Sequence, residues 1–200
     1  MNDIIIICIL CALLCCCLKR KQIREHFKYI NSINPIGYMD IMKDNKIYTI
    51  EIELYEKDTP VAVQNFKHLL TGNYGYNSDN IPITYKYSSF YKIEPNNALY
   101  GGDFITNNGT SGQSIYNKPF KDEIKGLKKI NSVGTIAMNN NGQANNNDSR
   151  FIINLKNNPE FNNNYVVIGS IVSNFNILQE IAENPKSNAT IVKCGLIYNI

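Results

Sequence analysis

Cysteine and histidine are the residues of this chain that could form disulfides or bind a metal ion, and their positions argue against both. Five of the six cysteines lie in the apolar N-terminus, which leaves Cys194 as the one thiol in the rest of the sequence. A single thiol cannot form an intrachain disulfide, so no disulfide framework is predicted. His26 and His68 stand apart from other potential ligands. We therefore predict no metal site.

The charged residues exclude one class of partner. Five of the basic side chains lie before residue 37, and the remaining sequence carries fifteen basic and fifteen acidic side chains. A neutral domain lacks the basic surface typical of a nucleic-acid-binding protein. We therefore expect no nucleic-acid partner. A chain of 200 residues with 44% hydrophobic residues is long enough to bury one good core.

The N-terminus carries an apolar segment of fifteen consecutive residues, Ile4–Leu18. As a helix it is roughly 22 Å long, which is short of the ~30 Å hydrocarbon core of a bilayer. Its length suits a signal peptide, but no Lys or Arg precedes it and no small-residue cleavage site follows. We predict an uncleaved, single-pass membrane anchor over residues 1–18. A cleaved signal peptide is the alternative.

The flank of this segment predicts the orientation of the chain. Lys19, Arg20 and Lys21 follow the apolar residues directly, and the positive-inside rule places such a flank, with the domain behind it, on the cytosolic side. A cleaved signal peptide predicts the secretory lumen instead. The adjacent thiols at residues 15–17 are candidates for palmitoylation, or are simply small apolar residues of the helix.

Beyond a basic linker over residues 19–36, the sequence predicts mainly strands. Apolar residues alternate with polar ones between Tyr48 and Leu54, as in a half-buried strand. A preceding strand over 37–43 joins it through Asp44-Asn45, a plausible hairpin turn. Further strands are predicted over residues 84–93, 133–138, 150–155, 166–172 and 190–197.

Two helices are predicted between these strands. Thr59 is a good N-cap, Pro60 suits the first helical position, and Gly72 is a C-terminal stop. A second, shorter helix is predicted to follow Ser173 as its cap, with an apolar face that includes Ile177, Leu178 and Ile181. Many short strands with one helix near each end indicate a barrel or sandwich whose open ends the helices cover.

Several motifs along this domain carry a family resemblance. Phe90-Tyr-Lys-Ile-Glu-Pro95 and Gly101-Gly-Asp-Phe104 resemble the F-H-R-I-I-P…G-G-D-F signature of the cyclophilins. Asn108-Gly-Thr-Ser-Gly-Gln-Ser-Ile-Tyr116 is similar to their N-G-T-G-G-x-S-I-Y loop, and Phe120-Lys-Asp-Glu123 to F-x-D-E. Gly134-Thr-Ile-Ala-Met138 resembles their G-x-L-S-M strand. The landmarks fall in family order between residues 37 and 200.

The resemblance implies the fold and the activity of the domain over residues 37–200. It implies a closed eight-stranded antiparallel β-barrel capped by two α-helices, with a surface groove that binds X-Pro peptides. The activity of the family is peptidyl-prolyl cis–trans isomerisation in protein folding, without a cofactor. The complete prediction is therefore a monomeric β-barrel domain with an apolar N-terminal helix, proline-containing peptides or proteins as partners, and a membrane contact through residues 4–18.

The resemblance also implies catalytic residues. In the family, an Arg donates a hydrogen bond toward the prolyl nitrogen and a Gln orients that Arg. The Arg aligns with Lys92 and the Gln with Tyr100. A second family Gln aligns with Arg150, which on one hypothesis reaches across the groove and restores a guanidinium there. We therefore expect Lys92 and Arg150 to be catalytic, although lysine lacks the planar fork of arginine.

The remaining aligned positions give the substrate-binding prediction. Most of them differ from the family residues, and Glu160 stands where the family has the Trp linked to cyclosporin binding. The predicted substrate-binding residues are Tyr91, Asn97, Ala98, Tyr100, Asn139, Asn140, Ile152, Phe161 and Tyr165.

Two functional readings follow from these differences. In one, Lys92 supplies a weaker electrostatic contribution and the protein is a slow isomerase. In the other, the groove binds peptide without catalysis, and the domain is a membrane-tethered binding or scaffold module. A plainer interpretation of single residues also stands, in which Lys92 is a solvated strand residue and Tyr100 and Tyr165 pack at the barrel rim.

Overall fold

The alternating apolar residues of the sequence form the strands of an antiparallel sheet. The computed structural model describes Lys19 and residues 34–184 and 189–198. Within these residues, eight strands pair in the order β3-β4-β6-β5-β7-β2-β1-β8. The strands are β1 (Ile36–Lys43), β2 (Lys46–Leu54), β3 (Lys92–Glu94), β4 (Ala98–Gly101), β5 (Thr135–Met138), β6 (Phe151–Asn154), β7 (Val167–Ser173) and β8 (Thr190–Ile197).

The predicted hairpin between β1 and β2 is confirmed. Asp44 and Asn45 connect the two strands, and both have left-handed backbone angles, with φ of 49° and 61°. Two central residues with positive φ give the turn whose twist matches that of the flanking strands. Lys43 therefore pairs with Lys46, and the register continues to Ile36 opposite Glu53.

The first long helix, α1 (Pro60–Thr71), begins and ends where the sequence indicates, but its N-terminal cap differs from the prediction. Gly72 ends it in the left-handed conformation, with φ of 64°. Thr59 makes no side-chain cap bond. The backbone N–H groups of Val61 and Ala62 instead donate to the Glu123 carboxylate, at 3.1 and 2.9 Å. A residue distant in sequence therefore satisfies the orphan donors of this helix.

Two shorter α-helices follow within the described residues, and Pro159–Phe161 forms a single turn of 3-10 helix. The two α-helices are α2 (Ile124–Leu127) and α3 (Phe175–Glu183). The buried side of α3 contains Ile177, Leu178 and Ile181, as predicted. Ser173 was expected to cap this helix and does not, because β7 continues through it and Asn174 stands at the cap position with φ of 56°.

The strand predicted over residues 84–93 is largely wrong. Only its last residues belong to a strand, β3. The backbone turns earlier, where the N–H of Ser88 donates to the carbonyl of Tyr85 at 3.0 Å and Tyr87 adopts a left-handed φ of 71°. Apolar and aromatic composition indicated a strand here, but these local turns prevent continuous extension.

The segment before β3 explains why the barrel is only partly closed. The predicted eight antiparallel strands are confirmed among the described residues, whereas the expected closure is not, because β3 and β8 at the two ends of the sheet share no ladder. We call the gap between β3 and β8 the seam. Residues 87–90, which lead into β3, contact the region of β8 across it. The N–H groups of Tyr87 and Phe90 donate to the carbonyls of Ile191 and Ala189, and a single bridge joins Ser89 to Thr190.

The core lies inside the curved sheet and is closed by α1 and α3. Its centre is aromatic, with Phe66 of α1 tilted against Tyr85 at 4.9 Å and edge-on to Phe151 of β6 at 5.7 Å between ring centroids. Such tilted arrangements are the favourable ones for aromatic pairs. The buried hydroxyl of Tyr85 donates to the carbonyl of Ser149 at 2.7 Å, so its burial leaves no unpaired donor.

The predicted N-terminal apolar helix lies outside the described residues. Among residues 34–184 and 189–198, no helix has the length and hydropathy needed to cross a bilayer.

Candidate functional site

The outer surface of the sheet carries a second set of buried apolar residues, apart from the core. Ala98, Ala137, Ile152 and Val167 are each completely buried, yet none belongs to the core cluster. They alternate along their strands with core residues. Register places Tyr100 opposite Ile152, Ile152 opposite Ala137, and Ala137 opposite Val167. One row of side chains therefore crosses β4, β6, β5 and β7 on the outer face.

A surface depression of about 470 Å³ lies at the Tyr100 end of this row, and we call it the groove. Five of the predicted site residues line it, namely Tyr91, Lys92, Tyr100, Asn139 and Tyr165. Its other lining residues are Asn108, Gly109, Thr110 and Asn141. The resemblance therefore brought together a set of residues that are indeed neighbours in space.

Lys92 and Tyr100 are held by a carboxylate that the sequence analysis did not single out. The Nζ of Lys92 lies 2.6 Å from Oε1 of Glu94 and 4.6 Å from the centre of the Tyr100 ring. The hydroxyl of Tyr100 and the amide of Asn97 both donate to Oε2 of Glu94, at 3.0 and 2.7 Å. One carboxylate thus binds three residues that the family resemblance assigned to the site.

The charge state of this cluster follows from its contacts. Burial alone would raise the pKa of Glu94, but hydrogen bonds from Lys92, Tyr100 and Asn97 outweigh it and hold that pKa below its ordinary value. Burial raises the pKa of Tyr100, and the hydrogen bond and charge of Glu94 raise it further. At neutral pH Glu94 is therefore an ionised carboxylate and Tyr100 an un-ionised phenol.

Tyr91 forms the opposite part of the groove with Asn139. The amide Nδ2 of Asn139 donates to the Tyr91 hydroxyl at 3.0 Å. Burial raises the pKa of Tyr91 to about 12, although the Asn139 hydrogen bond opposes that shift. A Cβ on Gly109 would come within 2.6 Å of the Tyr91 ring. Glycine at this position therefore allows the ring to lie directly against the loop backbone.

Arg150 is close to this loop but does not face the groove as a free cation. Its side chain is only 5% exposed. Its Nε and Nη2 both donate to the Asp148 carboxylate, the latter at 2.5 Å, and its Nη1 donates to the carbonyl of Gly109 at 2.7 Å. The guanidinium is thus committed to structural partners, and the catalytic role assigned to Arg150 stays a prediction.

A second carboxylate shapes the same loop. Oδ2 of Asp103 accepts backbone hydrogen bonds from Gly109 at 2.8 Å and Ser111 at 3.2 Å, and it accepts the Thr106 hydroxyl at 2.7 Å. Burial by itself would raise the pKa of Asp103, but these hydrogen bonds lower it overall. Gly109 is consequently fixed through its N–H by Asp103 and through its carbonyl by Arg150.

The other predicted residues lie beside or beneath the groove. Asn140 and Phe161 line a neighbouring depression of about 430 Å³, which shares Tyr165 with the groove. Phe161 and Tyr165 pack edge to face at 5.1 Å. Ala98 and Ile152 are buried on the outer face of the sheet and line neither depression. Asn97 is half-buried directly before β4 and donates to Glu94.

Glu94 is the functional candidate that the sequence analysis missed. Residues at positions i and i+2 of a strand share a face, and this spacing relates Lys92 to Glu94 in Lys-Ile-Glu. That signal was available in the sequence. The contact with Tyr100 was not, because it depends on the pairing of β3 with β4, which sets Lys92 opposite Tyr100.

Comparisons with known proteins agree with this geometry. Residues 38–196 match the family model described as cyclophilin type peptidyl-prolyl cis-trans isomerase/CLD. The chain is also 36% identical over 173 residues to the peptidyl-prolyl cis-trans isomerase cyp11 of Rhizopus delemar. That alignment covers 82% of this chain and 50% of the relative, so the chain spans about half the length of the curated relative that it matches.

Proposed function

The chain belongs to the cyclophilin-type peptidyl-prolyl cis–trans isomerase family, and on that basis we propose that its domain binds X-Pro segments in the groove and isomerises the prolyl peptide bond, acting in protein folding. The observation that carries this proposal is the ammonium of Lys92, which lines the groove beside Tyr100. A cation beside an aromatic surface is suited to donate a hydrogen bond toward the prolyl nitrogen of a bound X-Pro segment.

The reaction is limited by amide resonance. Rotation about the peptide bond has a barrier of roughly 18–20 kcal/mol. In the twisted state, the prolyl nitrogen loses conjugation and becomes a better hydrogen-bond acceptor. A donor placed at that nitrogen stabilises the twisted state more than the planar one, which lowers the barrier. In our proposal, Lys92 is this donor.

The surrounding residues suit an X-Pro ligand. Tyr91, Tyr100 and Tyr165 supply aromatic surface for a proline ring. Asn139 and Asn141 supply amide groups at the edge of the groove, where a peptide backbone needs donors and acceptors. Asn140 and Phe161, together with Asn97, Ala98 and Ile152, extend or support this binding surface.

We expect the activity to be weaker than is usual for the family. Lysine is a compact, strongly hydrated cation on a flexible stem, whereas arginine presents a planar fork of donors. Arg150 is the other proposed cation, and its catalytic contribution requires that the guanidinium give up part of its bonding to Asp148 or Gly109. Both features favour slow catalysis.

A second candidate function is peptide binding without catalysis. The observation that favours it is the 2.6 Å ion pair between Lys92 and Glu94, since an ammonium paired with a carboxylate is a weaker hydrogen-bond donor toward the prolyl nitrogen. In that case the domain is a binding or scaffold module that uses the same groove.

The test is a protease-coupled isomerisation assay on a prolyl peptide, with the purified full-length chain and with cyclosporin added in parallel. Slow, protein-dependent turnover with weak inhibition is expected, since Glu160 replaces the family Trp. Peptide binding by calorimetry without any acceleration would favour the scaffold function. The absence of both binding and turnover would reject the two functions together.

We further propose that residues 4–18 anchor the protein in a membrane, with the domain on the cytosolic side. The support is the uninterrupted apolar run followed by Lys19-Arg20-Lys21. Retention of the full-length chain in the membrane pellet after alkaline carbonate washing is the expected result. Recovery in the supernatant would contradict the anchor, and a mobility shift on glycosidase treatment, which reveals N-linked glycosylation in the lumen, would contradict its orientation.

A further inference from the structure

We propose that Glu94 is a positioning residue that orients Lys92 for isomerisation and takes over the orienting function of the Gln that is replaced here by Tyr100. This inference rests on the proposed isomerase function. It concerns a residue that lies two positions after the cation on β3, outside the set assigned from the family resemblance.

The geometry of the carboxylate supports this assignment. Oε1 of Glu94 lies 2.6 Å from the Nζ of Lys92. Oε2 accepts hydrogen bonds from the Tyr100 hydroxyl and the Asn97 amide, at 3.0 and 2.7 Å. The two hydrogen bonds on Oε2 fix the plane of the carboxylate, and the plane in turn fixes where Oε1 holds the ammonium. Glu94 is therefore a restrained partner rather than a mobile surface acid.

Tyr100 restrains the same ammonium from a second direction. Its ring centre lies 4.6 Å from the Nζ of Lys92, within the range of a cation–π contact. Lys92 and Tyr100 are also directly opposed in the β3–β4 ladder. The ammonium is thus located by a carboxylate on one side and by an aromatic face on another, which compensates for the flexibility of the lysine stem.

The ammonium keeps the capacity to act on a substrate. A lysine ammonium has three N–H donors, and the Glu94 ion pair accounts for one of them. The guanidinium of Arg150 differs in its exposure, because the residue is only 4% exposed and its Nε, Nη1 and Nη2 each bond to Asp148 or Gly109, whereas the side chain of Lys92 is 55% exposed. Of the two proposed cations, Lys92 is the one that is both held in place and able to donate toward the groove.

The first test measures isomerisation by the full-length chain carrying Glu94→Gln. The amide can still accept from Tyr100 or Asn97 but lacks the charge that holds Lys92. We expect kcat to fall about tenfold, with KM changed less than twofold, and no further fall when Glu94→Gln is added to Lys92→Ala. Glu56→Gln is the matched control, because Glu56 pairs with Lys67 at 2.8 Å away from the groove, and it is expected to leave kcat unchanged.

The second test is independent of turnover. Selective ¹³C labelling of tyrosine allows the Tyr100 ring to be observed by NMR in the folded chain at neutral pH. Because the Tyr100 hydroxyl donates to the Glu94 carboxylate at 3.0 Å, the ring signal of Tyr100 is expected to shift in Glu94→Gln and to stay unchanged in Glu56→Gln. An unchanged Tyr100 signal in Glu94→Gln would overturn the proposed contact.

The outcomes separate the inference from the function on which it rests. An active wild type whose kcat is unaffected by Glu94→Gln, or affected equally with and without Lys92, overturns the positioning role alone. An inactive wild type overturns the proposed isomerase function and the positioning role with it. Thermal unfolding of Glu94→Gln beside Glu56→Gln identifies any loss of activity that comes merely from loss of folding.

Discussion

The guanidinium of Arg150 and the carboxylate of Asp148 form a buried ion pair two residues apart, and this pair holds the loop that lines the groove. Nη2 of Arg150 lies 2.5 Å from Oδ2 of Asp148, and Nη1 extends to the carbonyl of Gly109. The backbone N–H of Arg150 also donates to Asp148. A charged pair therefore connects the start of β6 with the wall of the site.

Removal of one partner of this pair is expected to destabilise the fold. Arg150→Ala leaves the Asp148 carboxylate buried without its cation, which should lower the free energy of unfolding by about 3 kcal/mol. Urea denaturation measures the change. Lys156→Ala is the control, since its pair with Glu160 is long and half exposed and should contribute less than about 0.5 kcal/mol. Equal effects of the two substitutions would contradict the structural role of Arg150.

Removal of the proposed cation should abolish most catalysis without loss of stability. Lys92→Ala is expected to lower kcat/KM about 100-fold, the usual cost of one electrostatic donor in a transition state. Lys92→Arg keeps the charge and should retain activity. Lys86→Ala is a matched control, because Lys86 also lies over a tyrosine ring, that of Tyr87, at 4.8 Å.

One experimental result would contradict the prediction that Lys92 is the catalytic donor. Full activity of Lys92→Ala, measured by the same protease-coupled assay, would show that this ammonium is not the donor. If activity were then lost in Arg150→Ala at a temperature where that variant is folded, the catalytic cation would be Arg150.

Loss of the distant helix cap should weaken α1. Glu123→Ala removes the acceptor for the N–H groups of Val61 and Ala62, and the expected cost is about 1 kcal/mol of unfolding free energy. Glu180→Ala, on the exposed side of α3, is the control and should change stability little. Thermal and urea unfolding provide the measurement, and indistinguishable curves for the two variants would reject the capping role.

The Asp103 carboxylate should make stability depend on acid pH. Its pKa is lower in the folded protein than the ordinary value, as hydrogen bonds outweigh burial. Its stabilisation is therefore complete above the unfolded-state pKa, about 3.9, and declines as pH falls through the lower folded-state pKa. Asp103→Asn is expected to cost about 2 kcal/mol at pH 7.

The difference between wild type and Asp103→Asn should therefore shrink below about pH 4. Urea titrations at pH 7, 4 and 3 measure it. Asp79→Asn, at an exposed turn, serves as the control at each pH. A difference that grew toward acid pH would have the wrong sign and would contradict the hydrogen-bonded state of Asp103.

Local chemistry was sufficient to predict the parts of the fold that depend on neighbouring residues. The turn at Asp44-Asn45, the start of α1 at Pro60 and its end at Gly72 each follow from the backbone preferences of those residues. The cap on α1 could not be predicted in this way, because Glu123 is 62 residues distant from Val61. The seam was missed for the same reason, since it depends on bonds from Tyr87 to Ile191.

The site was predictable as a set of positions but not as a bonded cluster. The family resemblance identified Tyr91, Lys92, Tyr100, Asn139 and Tyr165 as neighbours, and they line one groove. The resemblance could not identify the carboxylates that bind these side chains and the neighbouring loop. The contact of Glu94 with Tyr100 depends on side chains that meet across β3 and β4. The contact of Asp148 with Arg150 depends on a local turn of the backbone.

Because β3 lies at one end of the sheet, its charged side chains have a second effect, on self-association. Within the described strands, β3 pairs only with β4, and it is three residues long. An unpaired sheet edge invites a strand from another molecule, and short edges with charged side chains resist such self-association. The ion pair of Lys92 and Glu94 therefore also protects the edge, so that variants lacking both charges should aggregate more readily at high protein concentration.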